Sequence, residues 1–103
     1  MTSYRFHHKA AAEYLEATRY YLLNSSPVVA ESFSGEVEAA IRKLALHPTM
    51  WPCIDNTSIR RFIMSRFPYA IYYHWDPEMD CVTIYAVMHM RRVPRYWADR
   101  VRE

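Results

Sequence analysis

An imidazole, three guanidiniums and a phenol fall close together near the end of this chain, where His89, Arg91, Arg92, Arg95 and Tyr96 run up to Trp97 in the stretch HMRRVPRYW. Those residue types can cleave RNA without a metal. A histidine takes the 2′-hydroxyl proton, arginines stabilise the charge building on the phosphorane, and a tyrosine protonates the leaving oxygen. On that reading His89, Arg91 and Tyr96 are the catalytic candidates, with Arg92 and Arg66 as further anion contacts. A second reading uses the same residues as a surface for a large protein, because Tyr, Trp and Arg are enriched at interface hot spots. In a third, the face is covered by the chain itself or by a second copy, and the histidines only satisfy hydrogen bonds.

Other chemistries find less support. The adjacent His7 and His8 are expected on opposite sides of a strand, and Cys53 and Cys81 have no ligand partners at suggestive spacing, so no metal is expected and the cysteines read as reduced thiols. Gly35 is the single glycine, which leaves no Gly-rich loop for a nucleotide, and no cofactor is implied.

The 103 residues read as one domain, 1–103, able to bury roughly two-thirds of the unfolded surface around a single core. Hydrophobic residues at 51% and charged residues at 23% place it among globular chains. The start of the chain lacks an apolar signal region, and no stretch approaches the roughly 18 apolar residues of a membrane span, so a cytoplasmic protein is expected. Net charge is only +2 but uneven. Residues 1–59 carry five Lys/Arg against six Asp/Glu, whereas residues 60–103 carry eight against five, and all eight are arginine. Arginine's planar fork suits phosphate or carboxylate.

The elements that must position these groups follow from periodicity. Ala11, Tyr14, Leu15, Thr18 and Leu22 mark one face of a first helix. Ser26-Pro27 opens a second, with a hydroxyl cap and a proline in the first turn, and Val29, Phe33, Val37, Ala40, Ile41 and Leu44 form its stripe up to a stop near His47. Gly35 inside that helix should cost about 1 kcal/mol relative to alanine, which suggests close approach to the first helix. The period then changes to that of strands over IRRFIM, FPYAIYYHW and CVTIYAVMHM, with DPEMD as a turn and SYRF as a further short strand. The order β-α-α-β-β-β predicts an α+β domain, a helical hairpin packed on one face of a mostly antiparallel sheet whose other face stays partly open.

Strict alternation in the last strand sends Val82, Ile84, Ala86, Met88 and Met90 to the core. Thr83, Tyr85, Val87, His89 and Arg91 then share the opposite face with Tyr72 and His74, or with Tyr73 and Trp75, according to register.

The blocks LALHPTMWP, IRRFIMSRFPYAIYYHWD and VTIYAVMHMRRVPRYW resemble the RelE/ParE superfamily of bacterial toxins from type II toxin-antitoxin modules, often described as plasmid stabilization proteins. The resemblance covers nearly the whole chain and implies the same fold. It also implies a cognate antitoxin as partner. A heterotetramer with that antitoxin, or a homodimer of the chain through its aromatic and methionine-rich surface when the antitoxin is absent, is expected. RelE-like members act on the ribosome and cut mRNA, whereas ParE-like members bind DNA gyrase and carry no known catalytic residues. RelE-like enzymes usually place an arginine in the strand motif where YAIYY has Ala70, and the wording FPYAIYY and HMRRVPRYW is closer to the ParE-like branch. The expected function is therefore a ParE-like gyrase toxin. A ribosome-dependent mRNA interferase is the first alternative and a non-toxic interaction module the second. Arg60, Arg61, Arg66, Tyr72, Arg91, Arg92, Arg95, Tyr96 and Trp97 are the expected contacts for target or antitoxin.

Overall fold

The structure is a computed structural model that describes residues 2–91 and 97–102. Strand β1 (Ser3–Phe6) is followed by helices α1 (His8–Asn24) and α2 (Pro27–Leu46), strands β2 (Arg60–Ile63), β3 (Tyr69–Asp76) and β4 (Cys81–His89), and a short 3-10 helix (Ala98–Arg102). The strands form one sheet in the order β1-β4-β3-β2, antiparallel except where β1 runs parallel to β4. The two helices cover one face, giving the expected α+β hairpin-on-sheet architecture.

Helix α2 starts as its sequence dictates. The Ser26 hydroxyl accepts the Val29 N–H at 3.2 Å, Pro27 occupies the first turn, and Ala30, Phe33, Val37, Ala40, Ile41 and Leu44 are buried. Phe33 sits at the centre of the core, its ring 5.1–5.2 Å from those of Tyr21, Phe67 and Tyr69. Gly35 does not mark a close approach. A Cβ there would meet nothing within 4 Å, so packing gives no reason for the glycine.

Helix α1 is rotated by one residue from the expected phase. Ala10 and Ala17 are buried with Tyr14 and Tyr21 packed beside them, whereas Ala11 is exposed, Leu15 is 63% exposed and Leu22 49%. The physical reason is the tyrosine at Tyr14. Its hydroxyl meets Ser34 Oγ at 2.7 Å and donates to Glu38 Oε1 at 3.1 Å, which fixes that side of the helix against α2, while the small Ala10 and Ala17 let the backbone approach the sheet. His7 and His8 do not lie on a strand. His7 caps α1, its Nδ1 accepting the Lys9 N–H at 3.1 Å, and the two imidazoles stack at 4.3 Å.

The decisive departure lies in β4. Tyr73 pairs with Ile84 but Tyr72 pairs with Ala86, so Tyr85 is an extra residue with no partner on β3. This β-bulge inverts the alternation. Val82 and Ile84 face the helices as expected, but beyond the bulge Val87 joins them, while Ala86 and Met88 turn to the outer face. His89 therefore follows Val87 to the helical side.

Candidate functional site

On the outer face the register is now fixed. Tyr72 and His74 share it with Thr83 and Tyr85, and Arg61, opposite Tyr72 on β2, joins them. Arg5, opposite Thr83 on β1, donates from Nε to the Thr83 hydroxyl at 3.1 Å. Arg5 went unnoticed in the sequence, although the alternation of SYRF already sets it opposite Tyr4 and Phe6. The face is not as open as expected. Trp97, 2% exposed, lies over Ala86, Met88 and Ile59 and stacks on Tyr72 at 5.7 Å. A residue expected to contact target or antitoxin is thus a core residue, because an indole laid on the bulge's small Ala86 buries more apolar area than it could in solvent.

The bulge also shapes the free side of β4. Strand β1 ends at Phe6, opposite Ile84, so the backbone of the later residues meets side chains instead of a strand. Arg100 Nη1 donates to the Tyr85 carbonyl at 3.0 Å, and Glu13 Oε1 accepts the Val87 N–H at 3.2 Å. Glu13 and Arg100 close on each other through two bonds of 2.7 Å, with side chains 15% and 5% exposed. A bidentate pair this dry joins α1, the bulge and the C-terminal 3-10 helix.

Of the expected site residues, this arrangement keeps His89 and Arg91 together at the end of β4 and places Arg60, Arg61, Arg66 and Tyr72 elsewhere. His89 lines a cleft under α1 with Glu13, Glu16, Tyr20 and Tyr69, its ring edge-on to Tyr69 at 5.2 Å, and its Nδ1 accepts the Arg91 N–H at 3.1 Å. Its expected place on the outer face is overturned by the bulge. Arg91 is exposed just past the strand end. Arg60 is half-buried and holds the loop before β2, donating from Nη1 to the carbonyls of Trp51 at 2.6 Å and Thr49 at 3.2 Å. Arg66 reaches across to α2, pairing with Glu36 at 3.2 Å and donating to Ser32 Oγ at 2.7 Å. Arg61 is exposed and Tyr72 half-buried on the outer face. Arg92, Arg95 and Tyr96 lie outside the described residues.

The phenols with shifted pKa values belong to the core. Burial pushes the Tyr73 hydroxyl up to about 12, against the opposing charge of Arg60, and that hydroxyl donates to the Pro48 carbonyl at 3.0 Å. Burial likewise raises Tyr14 and Tyr21. Among the described residues no group of three His, Cys, Asp or Glu side chains is placed to hold a metal ion, and no helix is long and apolar enough to cross a membrane.

With this geometry in place, the comparisons with known proteins converge. The family model described as the ParE toxin of the type II toxin-antitoxin system parDE matches residues 4–94. The chain belongs to the ParE toxin family. Among solved structures, a chain of the chromosomal ParDE toxin-antitoxin system from P. aeruginosa superposes with a TM-score of 0.73, covering 86% of this chain and 96% of that one at 15% identity. At that identity the likeness shows a shared fold. No curated protein matches the chain by sequence. ParE family membership accounts for the α+β hairpin-on-sheet order, and within that fold the bulge at Tyr85 and the Trp97 cover set this chain's surfaces.

Proposed function

We propose that this ParE family toxin arrests growth by binding DNA gyrase, without cutting RNA, and that a cognate antitoxin neutralises it. The observation that carries the reading is that the bulge turns His89 away from Arg5 and Arg61 of the outer face and into a cleft beneath α1. A ribonuclease needs its acid-base groups and its cations around one phosphate. Here His89 shares a cleft with Glu16, an exposed carboxylate whose negative charge opposes the charge that builds on a phosphorane, and with Glu13, whose charge is already met by Arg100.

The outer face is better suited to a protein partner. Arg5 and Arg61 flank Tyr72, His74 and Tyr85 there, a mixture of guanidinium and aromatic groups typical of binding surfaces. Arg91, Arg92, Arg95 and Tyr96 extend the proposed contact region along the chain, the last three beyond the described residues. Arg66 borders it as well, its side chain 68% exposed while it pairs with Glu36. Arg60, committed to loop carbonyls, does not.

The reading is tested by inducing the chain in cells with and without the antitoxin gene encoded beside it. Without the antitoxin, cells should filament, accumulate DNA breaks and lose colony formation. Growth arrest with fragmented mRNA and intact DNA would contradict it. Unimpaired growth would point instead to a non-toxic interaction module.

A further inference from the structure

Strand β1 ends at Phe6, and His7 turns the chain into α1 beside the bulge of β4. The pocket between them has a volume of about 310 Å³ and is lined by Arg5, Phe6, His7, His8, Thr83 and Tyr85. That size stands at the lower end of small-molecule sites, and bulges often re-aim a side chain beside one. Here the extra residue is Tyr85, whose ring lies 6.1 Å from that of His7.

Arg5 and Thr83 supply the donors. Arg5 commits its Nε to the Thr83 hydroxyl at 3.1 Å, which orients the guanidinium and leaves both Nη groups without a partner among the described residues. Thr83 is 9% exposed, and its hydroxyl accepts that bond while donating its own proton to no described residue. A buried hydroxyl proton ordinarily meets an acceptor, so this one calls for a ligand oxygen. No carboxylate lines the pocket. Glu13 is held by Arg100, Asp80 by Thr2 and Trp75, and Asp99 is not among the lining residues. Charge therefore favours an anion.

The donors also discriminate among anions. A carboxylate has two oxygens, which one guanidinium fork satisfies, whereas a phosphate monoester offers three terminal oxygens, enough for the fork and for a hydroxyl beside it. The imidazole and phenol walls suit an aromatic group carried by that phosphate. We propose that this pocket binds a nucleoside monophosphate, its phosphate on Arg5 and Thr83 and its base against the rings of His7 and Tyr85. The inference goes beyond the growth-arrest reading and does not rest on it.

NMR titration of the purified full-length chain with adenosine 5′-monophosphate tests it. The amides of Arg5, His7, Thr83 and Tyr85 should shift and saturate, while adenosine at the same concentration and salt should leave them in place. Arg5→Gln, at an exposed side chain, should weaken binding at least about tenfold, and Thr83→Val about tenfold, the scale of a lost hydrogen bond to a charged group. Thr83→Ser keeps the hydroxyl and should bind as the parent does. Thermal midpoints are read alongside, and if Thr83→Val folds poorly, Arg5→Gln decides. Shifts that do not saturate, or full affinity in a folded Arg5→Gln, would overturn the site. Benzoate bound as tightly as the nucleotide would overturn the phosphate in favour of a carboxylate. An unphosphorylated thymidine oligonucleotide bound more tightly at the same amides would overturn the mononucleotide in favour of a nucleic-acid backbone.

Discussion

Arg100→Met should lower the stability of the chain by about 3–5 kcal/mol, the range found when one member of a buried ion pair is removed. The loss has identifiable parts. Glu13 would be left as a carboxylate only 15% exposed with its cation gone, and the Tyr85 carbonyl at the bulge would lose the guanidinium that accompanies it. Glu13→Gln should also be destabilising, because it strands the Arg100 guanidinium, 5% exposed, although the amide oxygen can still accept the Val87 N–H. Combining Glu13→Leu with Arg100→Met should recover part of the loss, since two apolar groups leave no stranded charge. Urea unfolding of the parent, Arg100→Met, Glu13→Leu and the double variant, analysed as a double-mutant cycle, measures each step, with Glu13→Gln unfolded alongside. A stability change within about 0.5 kcal/mol for Arg100→Met, the level of an ordinary surface substitution, would show that the clamp is not closed in solution.

Trp97→Ala should be comparably damaging, by about 3–5 kcal/mol as for other buried tryptophans truncated to alanine. The indole is the lid of the smaller core, packed with Ile59, Ala86 and Met88 on the side of the sheet away from the helices. Removing it exposes that apolar layer to water as well as leaving a void. The expected signature is a lowered thermal midpoint together with new binding of a hydrophobic dye, whereas Trp97→Phe should retain most of the stability. An alanine variant with an unchanged midpoint and no dye binding would mean that the segment does not cover the sheet.

Much of the architecture is legible in the sequence because its signals are local. Ser26-Pro27 fixes the start of α2, and a single apolar stripe fixes its inward face. The period-two runs locate the strands, and Asp76 and Asp80 bound the turn between β3 and β4, with Asp80 in the left-handed conformation that Asp tolerates. Helix α1 is ambiguous for a physical reason. Ala10, Tyr14, Ala17 and Tyr21 obey the same spacing as Ala11, Leu15, Thr18 and Leu22, and hydropathy favours the second set. The choice is made by hydroxyl partners on α2, at Ser34 and Glu38, which no local pattern reveals.

The site is less legible than the fold because it depends on one inserted residue. A bulge at Tyr85 turns every later side chain of β4 to the other face, and parity arguments cannot see it. A signal was present. Ala86, Val87 and Met88 are three consecutive apolar residues, too many for a strand with one wet face, and all three are buried. Read that way, they imply that both faces are covered at that end of the strand. The cover itself, Trp97 with Arg100, comes from a segment beyond Pro94 whose docking is a long-range event. That is why the chain's richest chemical stretch contains both an exposed guanidinium, at Arg91, and a buried indole.

On the proposed function, this toxin acts by holding a protein target and not by acid-base chemistry at His89. Titrating the purified chain into a DNA gyrase supercoiling reaction, with a parallel translation reaction probed for mRNA cleavage, tests it directly. Loss of supercoiling with increasing toxin and intact mRNA is the predicted result. Undiminished supercoiling alongside mRNA cut on the ribosome, with the cutting abolished in His89→Gln, would contradict it.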